Sequence, residues 1–173
     1  MAWLVWVPTA EADQDDPALI ALFDQLYQTV DTLEARAIEE EIQRVWNTSG
    51  SATADLLLGR GTFAMNNGDY AVAERALNTV VNQHPDFAEG WNRRATLYYV
   101  MGRLEESVVD VERTLALAPR HYGALSGLGQ IYIVLGRIDE ARNAFRRALA
   151  ANPHLVGARQ FLRALDRQFG API

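Results

Sequence analysis

The sequence predicts an all-α fold, a solenoid of helical hairpins stacked side by side. Two sets of residues recur every 34 positions: the prolines Pro85, Pro119 and Pro153, and the glycines Gly68, Gly102 and Gly136. Between them, apolar and small residues follow the three- and four-residue spacing of amphipathic helices. A fixed period of this length is typical of units that bury a continuous core only when they stack.

Each 34-residue unit predicts two antiparallel helices. In the second unit, Trp91, Ala95 and Tyr98 lie on one face of a first helix, which Gly102 ends as a left-handed cap. The second helix ends before Pro119, because proline cannot continue it. Small residues where the two helices cross, such as Gly129, predict close approach of the helices. The predicted units are 54–87, 88–121 and 122–155.

Further helices are predicted on both sides of the repeats. Asp16 and Pro17 are a good helix cap and first-turn pair, and they begin a segment, 17–48, that we interpret as a helical hairpin capping the array before its first unit. The segment 156–170 is amphipathic and predicts a helix that closes the other end, where an uncovered unit would expose apolar surface. Residues 1–16 form an apolar and then acidic tail.

The three units resemble tetratricopeptide repeats. The third unit carries most of the family pattern, with Leu125, Leu128, Gly129, Tyr132, Gly136, Ala141, Phe145, Ala148 and Pro153. Arg60 and Arg94 depart from it, where the pattern prefers leucine. The resemblance implies an α-solenoid whose first helices line a concave groove, and it implies a role in protein–protein interaction.

Composition argues against several classes of chemistry. The chain has 173 residues, a net charge of −6, no cysteine and only arginine among its 16 basic residues. Thiolate chemistry is therefore absent, and an acidic chain without a basic stripe predicts no nucleic-acid binding. The three histidines fall in turns between repeats, too far apart for one metal site. No catalytic or cofactor motif is present, so we predict a non-enzyme without a cofactor.

The resemblance also implies which residues face the groove. Trp91 and Tyr98 are expected in the core, whereas Tyr99 either projects into the groove or packs between neighbouring first helices. A known subgroup of the family binds chaperone C-termini through a carboxylate clamp that includes lysine, and this chain has no lysine. We therefore do not predict chaperone-tail binding. The candidate peptide-binding residues are Leu58, Thr62, Met65, Asn92, Arg93, Thr96, Tyr99, Gln130 and Ile133.

The leading interpretation is a scaffold that binds a peptide or protein segment in the groove. One alternative is a self-assembling structural protein, a homo-oligomer in which the acidic N-terminal end of one copy meets the arginine-rich C-terminal end of another. A third is a regulatory subunit of an envelope enzyme. These three hypotheses involve different partners, so the sequence does not identify the partner.

The N-terminus bears on localisation. An apolar run over 2–7 precedes Ala10-Glu11-Ala12, which fits the cleavage pattern of an export signal whose upstream part is absent. The alternative is an unstructured apolar tail, since the positive leader and the longer apolar stretch of a full signal are missing. The run is too short to span a bilayer, so no membrane insertion of the mature chain is predicted. The phrases "SGSATADLLL" and "PRHYGALSGLG" resemble small exported tetratricopeptide proteins of alphaproteobacteria. We therefore expect a periplasmic protein, with a cytoplasmic one as the alternative.

Overall fold

The computed structural model describes residues 17–170, which form nine α-helices and no strand. The predicted tail, 1–16, lies outside the described residues. The all-α fold is confirmed. The helices are α1 (Pro17–Gln28), α2 (Thr32–Trp46), α3 (Ala52–Asn66), α4 (Tyr70–Gln83), α5 (Ala88–Val100), α6 (Leu104–Leu117), α7 (Tyr122–Val134), α8 (Ile138–Ala151) and α9 (Val156–Phe169).

The repeats are the hairpins α3–α4, α5–α6 and α7–α8, each turned by a left-handed glycine. Gly68, Gly102 and Gly136 have φ values of 78°, 75° and 72°. This backbone region costs other residues energy because their Cβ atoms clash, which explains why glycine recurs at this point of the period. The second helix of each repeat packs on the first helix of the next, ending with α8 against α9.

Small residues let the two helices of a repeat approach closely. A Cβ atom at Gly129 would lie 2.7 Å from the ring of Phe145, and one at Gly61 would lie 2.8 Å from Leu77. In the middle repeat the hydroxyl of Ser107 is buried and donates to the carbonyl of Ala95 at 2.7 Å. These contacts follow the helix faces predicted from the 34-residue period.

The N-terminal hairpin, α1–α2, exists as predicted, but the prediction that it caps the array before the first repeat was wrong. Its apolar face packs instead with Tyr122 at the start of α7 and with Ala151 at the end of α8. Its polar contacts lead to the same place, since Asn152 donates to Glu39 at 2.6 Å. The ring nitrogen Nε2 of His154 lies 3.1 Å from the carbonyl oxygen of Leu26.

The outer side of the first repeat is left open by this arrangement. The connection from Trp46 to Ala52 is short, yet α2 does not stack on α3 as α4 stacks on α5. Leu56 and Phe63, which lie seven positions apart on α3, keep 73% and 72% of their surface exposed. A hairpin stacked before the first repeat would have covered such a face.

Candidate functional site

The concave side carries a groove between α5 and α7, here called the central groove. Its volume is about 490 Å³, within the range of small-ligand and peptide sites. The helix α5 and the helix α7 contribute its walls, and Leu155 before α9 completes it. The residues around it include Asn92, Ala95, Thr96, Tyr99 and Val100 from α5, and Tyr122, Gly123, Ala124, Ser126, Gly127, Gln130 and Ile131 from α7.

The central groove is open because α7 is lined with small side chains on this side. A Cβ atom at Gly127 would meet no atom within 4 Å, and one at Gly123 would touch only the ring of His121, at 3.4 Å. Two glycines of the motif "YGALSGLG" therefore have different effects on the two sides of α7. Gly129 admits Phe145 on the buried side of α7, while Gly127 leaves space on the open side.

A second depression, here called the first-repeat hollow, lies between α3, α5 and the end of α2. Its volume is about 410 Å³. Part of its rim is polar, because Asp55 there accepts a hydrogen bond from the hydroxyl of Ser49 at 2.6 Å. The residues that line it are Asn47, Asp55, Leu58, Gly59, Thr62, Phe63, Asn66 and Arg93.

Seven of the nine candidate binding residues divide between these two depressions. The central groove brings together Asn92, Thr96, Tyr99 and Gln130. The first-repeat hollow brings together Leu58, Thr62 and Arg93, although Leu58 is buried. Met65 and Ile133 line neither depression and pack instead against apolar clusters of their own repeats. That these residues bind a partner stays a prediction.

The two aromatic predictions of the middle repeat have different outcomes. Tyr98 is buried, as expected, whereas Trp91 is half-buried and donates from its indole nitrogen to the carbonyl of Pro85 at 2.9 Å. Tyr99 combines both of its alternatives, because it is half-buried against the core of the third repeat and also lines the central groove.

A buried polar cluster joins the central groove to the N-terminal hairpin. The carboxylate of Glu89 is fully buried and accepts from Asn92 at 2.9 Å, while the Nε of Arg93 lies 2.6 Å from its other oxygen. Nε2 of His121 lies 2.9 Å from Glu89, and the ring stacks on Trp46 of α2 with centroids 3.9 Å apart. One contact chain thus runs from α5 through α7 to the hairpin.

Hydrogen bonding assigns the proton on His121. The backbone N–H of Ala124 donates to Nδ1 at 3.0 Å, which makes this nitrogen an acceptor. Nε2 therefore carries the proton and donates to Glu89. Burial alone opposes ionisation of Glu89, but His121, the charge of Arg93 and the amide of Asn92 outweigh it and hold the pKa of Glu89 below its usual range.

Tyr122 forms the end of the central groove beside this cluster. Burial raises the pKa of Tyr122 to about 12, so its phenol is uncharged at neutral pH. Its ring lies 5.0 Å from Trp46 and 6.4 Å from Phe23, measured between centroids. The hairpin therefore supports the end wall of the groove.

Sequence reasoning missed Glu89 and His121 as members of this cluster, because it singled out no role for Glu89 and placed His121 in a turn between repeats. A signal was present in the 34-residue period. The positions equivalent to His121 are Phe87, which is buried, and Leu155, which is half-buried. The period thus assigns His121 to an apolar slot, where a polar ring requires partners.

Arg94, which departs from the family pattern, has a structural role. Its guanidinium makes two hydrogen bonds to the buried carboxylate of Asp110, at 2.7 and 2.8 Å, and a third to Asn78 at 2.9 Å. Paired hydrogen bonds of this kind fix geometry as well as charge. Both arginines of α5 that face its neighbours, Arg93 and Arg94, are therefore held by carboxylates within the chain.

Comparison with known proteins decides the family. The model of the tetratricopeptide repeat matches residues 58–113 and 94–156. The chain belongs to the tetratricopeptide repeat family. It is similar to a TPR repeat-containing protein of Rhizobium etli, with 44% identity over 110 residues that cover 64% of this chain and 54% of that protein. The match thus spans about half of the relative's length.

Solved tetratricopeptide structures share the fold. The first TPR of Spaghetti (RPAP3), bound to the HSP90 peptide SRMEEVD, superposes with a TM-score of 0.67 at 21% identity, over 70% of this chain and 96% of that chain. The crystal structure of MamA has a TM-score of 0.64 at 18% identity, over 82% and 86%. At these identities the likeness establishes the fold alone.

Two further observations concern the described part of this tetratricopeptide protein. Among residues 17–170, no group of three or more histidines and carboxylates is placed to hold a metal ion. None of the helices in that range is both long and apolar enough to cross a membrane.

Proposed function

We propose that this protein is a non-enzymatic scaffold that binds a peptide or protein segment on its concave side, with the central groove as the main site. The observation that carries the proposal is the groove itself, about 490 Å³ of space walled by two first helices. A groove of this size between helices suits an extended or helical segment of a partner. Fold and family support the proposal, since tetratricopeptide repeats are typically interaction modules.

The chemistry of the central groove supports binding of a polypeptide. The side chains of Gln130 and Ser126 line it and make no hydrogen bond within residues 17–170, so their polar groups are available. A free amide can donate to and accept from a peptide backbone. Tyr99 adds a half-exposed aromatic surface, a type of residue that often dominates binding energy.

The ligands of related solved structures also support this proposal. The Spaghetti domain is described as bound to an HSP90 peptide, and the TPR2B domain of yeast Sti1 as complexed with pHsp70. Both proteins therefore bind chaperone segments. For the present chain we carry over only the general role of holding a polypeptide.

The test places a photo-cross-linking amino acid at Thr96, which is exposed in the groove, or at Arg146, which is exposed on α8 outside it. We expect capture at Thr96 and not at Arg146. The captured segment, made as a synthetic peptide, should then bind the purified full chain about tenfold more weakly after Tyr99→Ala. Equal capture at both positions, or unchanged affinity for the variant, would reject the groove as the site.

Asn92 is a poor probe of the groove, although the sequence made it a candidate. Its amide donates to the buried Glu89, so Asn92→Ala disturbs the polar cluster as well as the groove surface. Gln130 is the better choice because it lines the groove without a partner among the described residues.

The alternative function is self-assembly through charged ends. It is favoured by Arg163 and Arg167, which are exposed on α9 and form no ion pair within the described residues. Arg142 does not support it, because it is buried and held by Asp139, Asp166 and the carbonyl of Leu165. Sedimentation at rising salt tests this alternative, since charge-driven contacts weaken with ionic strength.

We also propose periplasmic residence, on the apolar run over 2–7 and the Ala10-Glu11-Ala12 sequence that follows it. Fractionation of source cells is expected to place a mature form beginning near Asp13 outside the cytoplasm. Recovery of the intact chain from the cytoplasm alone would overturn this localisation.

A further inference from the structure

Building on the proposed function, we infer that the central groove selects an uncharged, internal stretch of a partner polypeptide that presents a large apolar side chain, and that it rejects a free C-terminal carboxylate. The inference concerns the chemical class of the ligand. It follows from the charges, the space and the free polar groups of the groove.

Among residues 17–170, the groove offers no counter-ion to a carboxylate. None of the residues that line it is charged, and α7 has no charged residue along its length. Arg93 follows Asn92 on α5, but its Nε lies 2.6 Å from the buried Glu89, and its side chain lines the first-repeat hollow rather than the central groove. The phenol of Tyr122 is also uncharged at neutral pH. A carboxylate placed here would lose water without gaining a charged partner, which is costly.

An ammonium or guanidinium group of a ligand would also find no charged partner among the described residues of the groove. Glu89 is the carboxylate beside the groove and is fully buried: its Oε2 accepts from Asn92 and lies 2.9 Å from Nε2 of His121, and its Oε1 lies 2.6 Å from Nε of Arg93. The cluster is thus balanced internally and presents no net attraction to charge of either sign.

The space in the groove fits a bulky apolar group. Tyr99 and Val100 keep part of their surface exposed and form the apolar face of the groove, and a Cβ atom at Gly127 would meet no atom within 4 Å. An aromatic or branched ligand side chain would bury apolar area against these residues, which favours binding.

The free polar groups of the groove match a peptide backbone. Gln130 and Ser126 have no partner within residues 17–170, and Asn92 uses its NH₂ group on Glu89 while its Oδ1 accepts no bond from the described chain. These groups can pair with the N–H and C=O groups present along the middle of any polypeptide. These side chains can therefore hydrogen-bond to an internal segment of a polypeptide as well as to its end.

Three glycines allow a matched experiment. Gly127, Gly59 and Gly157 are all helical, and a Cβ atom at any of them would meet nothing within 4 Å. The first atom of a larger side chain therefore meets no clash at any of them, and leucine replaces a poor helix former. Only Gly127→Leu fills the central groove; Gly59→Leu fills the first-repeat hollow, and Gly157→Leu lies on α9 outside both.

The test selects peptides on the full chain from two random dodecamer display libraries, one holding each peptide internally and one ending in a free carboxylate. We expect enrichment from the internal library of sequences rich in Trp, Phe and Leu and depleted in Asp and Glu. A winning sequence, made as an amidated peptide, should bind Gly127→Leu at least about tenfold more weakly than the native chain. Gly157→Leu and Gly59→Leu should bind it within about twofold.

The outcomes separate this inference from the proposed function. If peptides that need a free carboxylate or acidic side chains win, and Gly127→Leu abolishes their binding, the groove binds peptides but the ligand class is wrong. If Gly59→Leu is the variant that blocks binding, the first-repeat hollow is the site and the inference falls. If no peptide from either library depends on Gly127, the proposed function fails together with the inference.

Discussion

The repeats and the N-terminal hairpin are held in place by different kinds of contact. Each repeat buries its apolar residues against the next repeat along the chain, as α4 does against α5 and α6 against α7. The hairpin α1–α2 instead buries its apolar face against residues more than 70 positions away, such as Tyr122 and Ala151. Contacts between neighbours repeat with the sequence, whereas a contact made once leaves no period to detect.

The largest expected effect comes from removing the aromatic contact that joins the two regions. Trp46 is almost fully buried and stacks on His121. Trp46→Ala should cost about 3–5 kcal/mol of hairpin docking, because the side chain leaves a cavity. Amide hydrogen exchange should show faster exchange in α1 and α2, with protection of α5 and α6 retained. Uniform loss of protection would mean that the two regions unfold as one.

Gly129→Leu tests the repeat contacts without touching the hairpin. A Cβ atom there would already lie 2.7 Å from the ring of Phe145, so overpacking should cost about 1–3 kcal/mol. Thermal unfolding measures the loss. Gly127→Leu, two residues away on the open side of α7, is the control and should not lower the melting temperature. Equal melting temperatures for the two variants would show that the helix faces are wrongly assigned.

Acid should weaken the junction between the regions. Because the pKa of Glu89 is lowered in the folded chain, its ionised form stabilises the fold above the ordinary glutamate pKa of about 4.3, and that stability is lost as pH falls through and below this value. Glu89→Gln should cost about 1–2 kcal/mol at pH 7, since a neutral amide replaces a charged acceptor.

The measurement is the melting temperature of both proteins from pH 7 to pH 3. The native chain should lose stability on acidification more steeply than Glu89→Gln. Parallel curves for the two proteins would contradict the assigned role of Glu89, and a titration confined to other carboxylates would then explain the acid response.

The smallest effect on stability is expected at the groove surface. Gln130 makes no hydrogen bond within the described residues, so Gln130→Ala should change the free energy of unfolding by less than about 0.5 kcal/mol. The same variant should weaken binding of a selected peptide by about 1 kcal/mol, measured by fluorescence anisotropy. A clear fall in melting temperature would indicate that Gln130 supports the fold rather than the ligand.

Much of the fold could be predicted from the sequence because its physical causes are local and repeated. Gly102 and Pro119 indicate turns through local backbone effects, and Gly129 indicates a close helix crossing. The position of the hairpin could not be predicted in this way. Amphipathicity shows that Ile38, Ile42 and Trp46 share a buried face, but it does not show which surface covers that face.

The candidate site was predictable to a similar depth. The family resemblance implied that Thr96, Tyr99 and Gln130 face the groove, and these three line the central groove. Spacing could not show that Glu89 turns inward, since that depends on His121 arriving from the next turn to pair with it. Buried polar clusters are set by tertiary partners, which a single sequence does not display.

The docking of the hairpin also sets an order of events during synthesis. Asn152 and Glu39, which are hydrogen-bonded, lie 113 residues apart in the chain, and His154 and Leu26 lie 128 apart. The hairpin leaves the ribosome well before the residues that cover it, while each repeat can pack as soon as its neighbour is made. Contacts closed over such distances form slowly, because a long loop loses entropy first. The earliest of the described helices to be translated can therefore acquire their native packing only after all three repeats have been made.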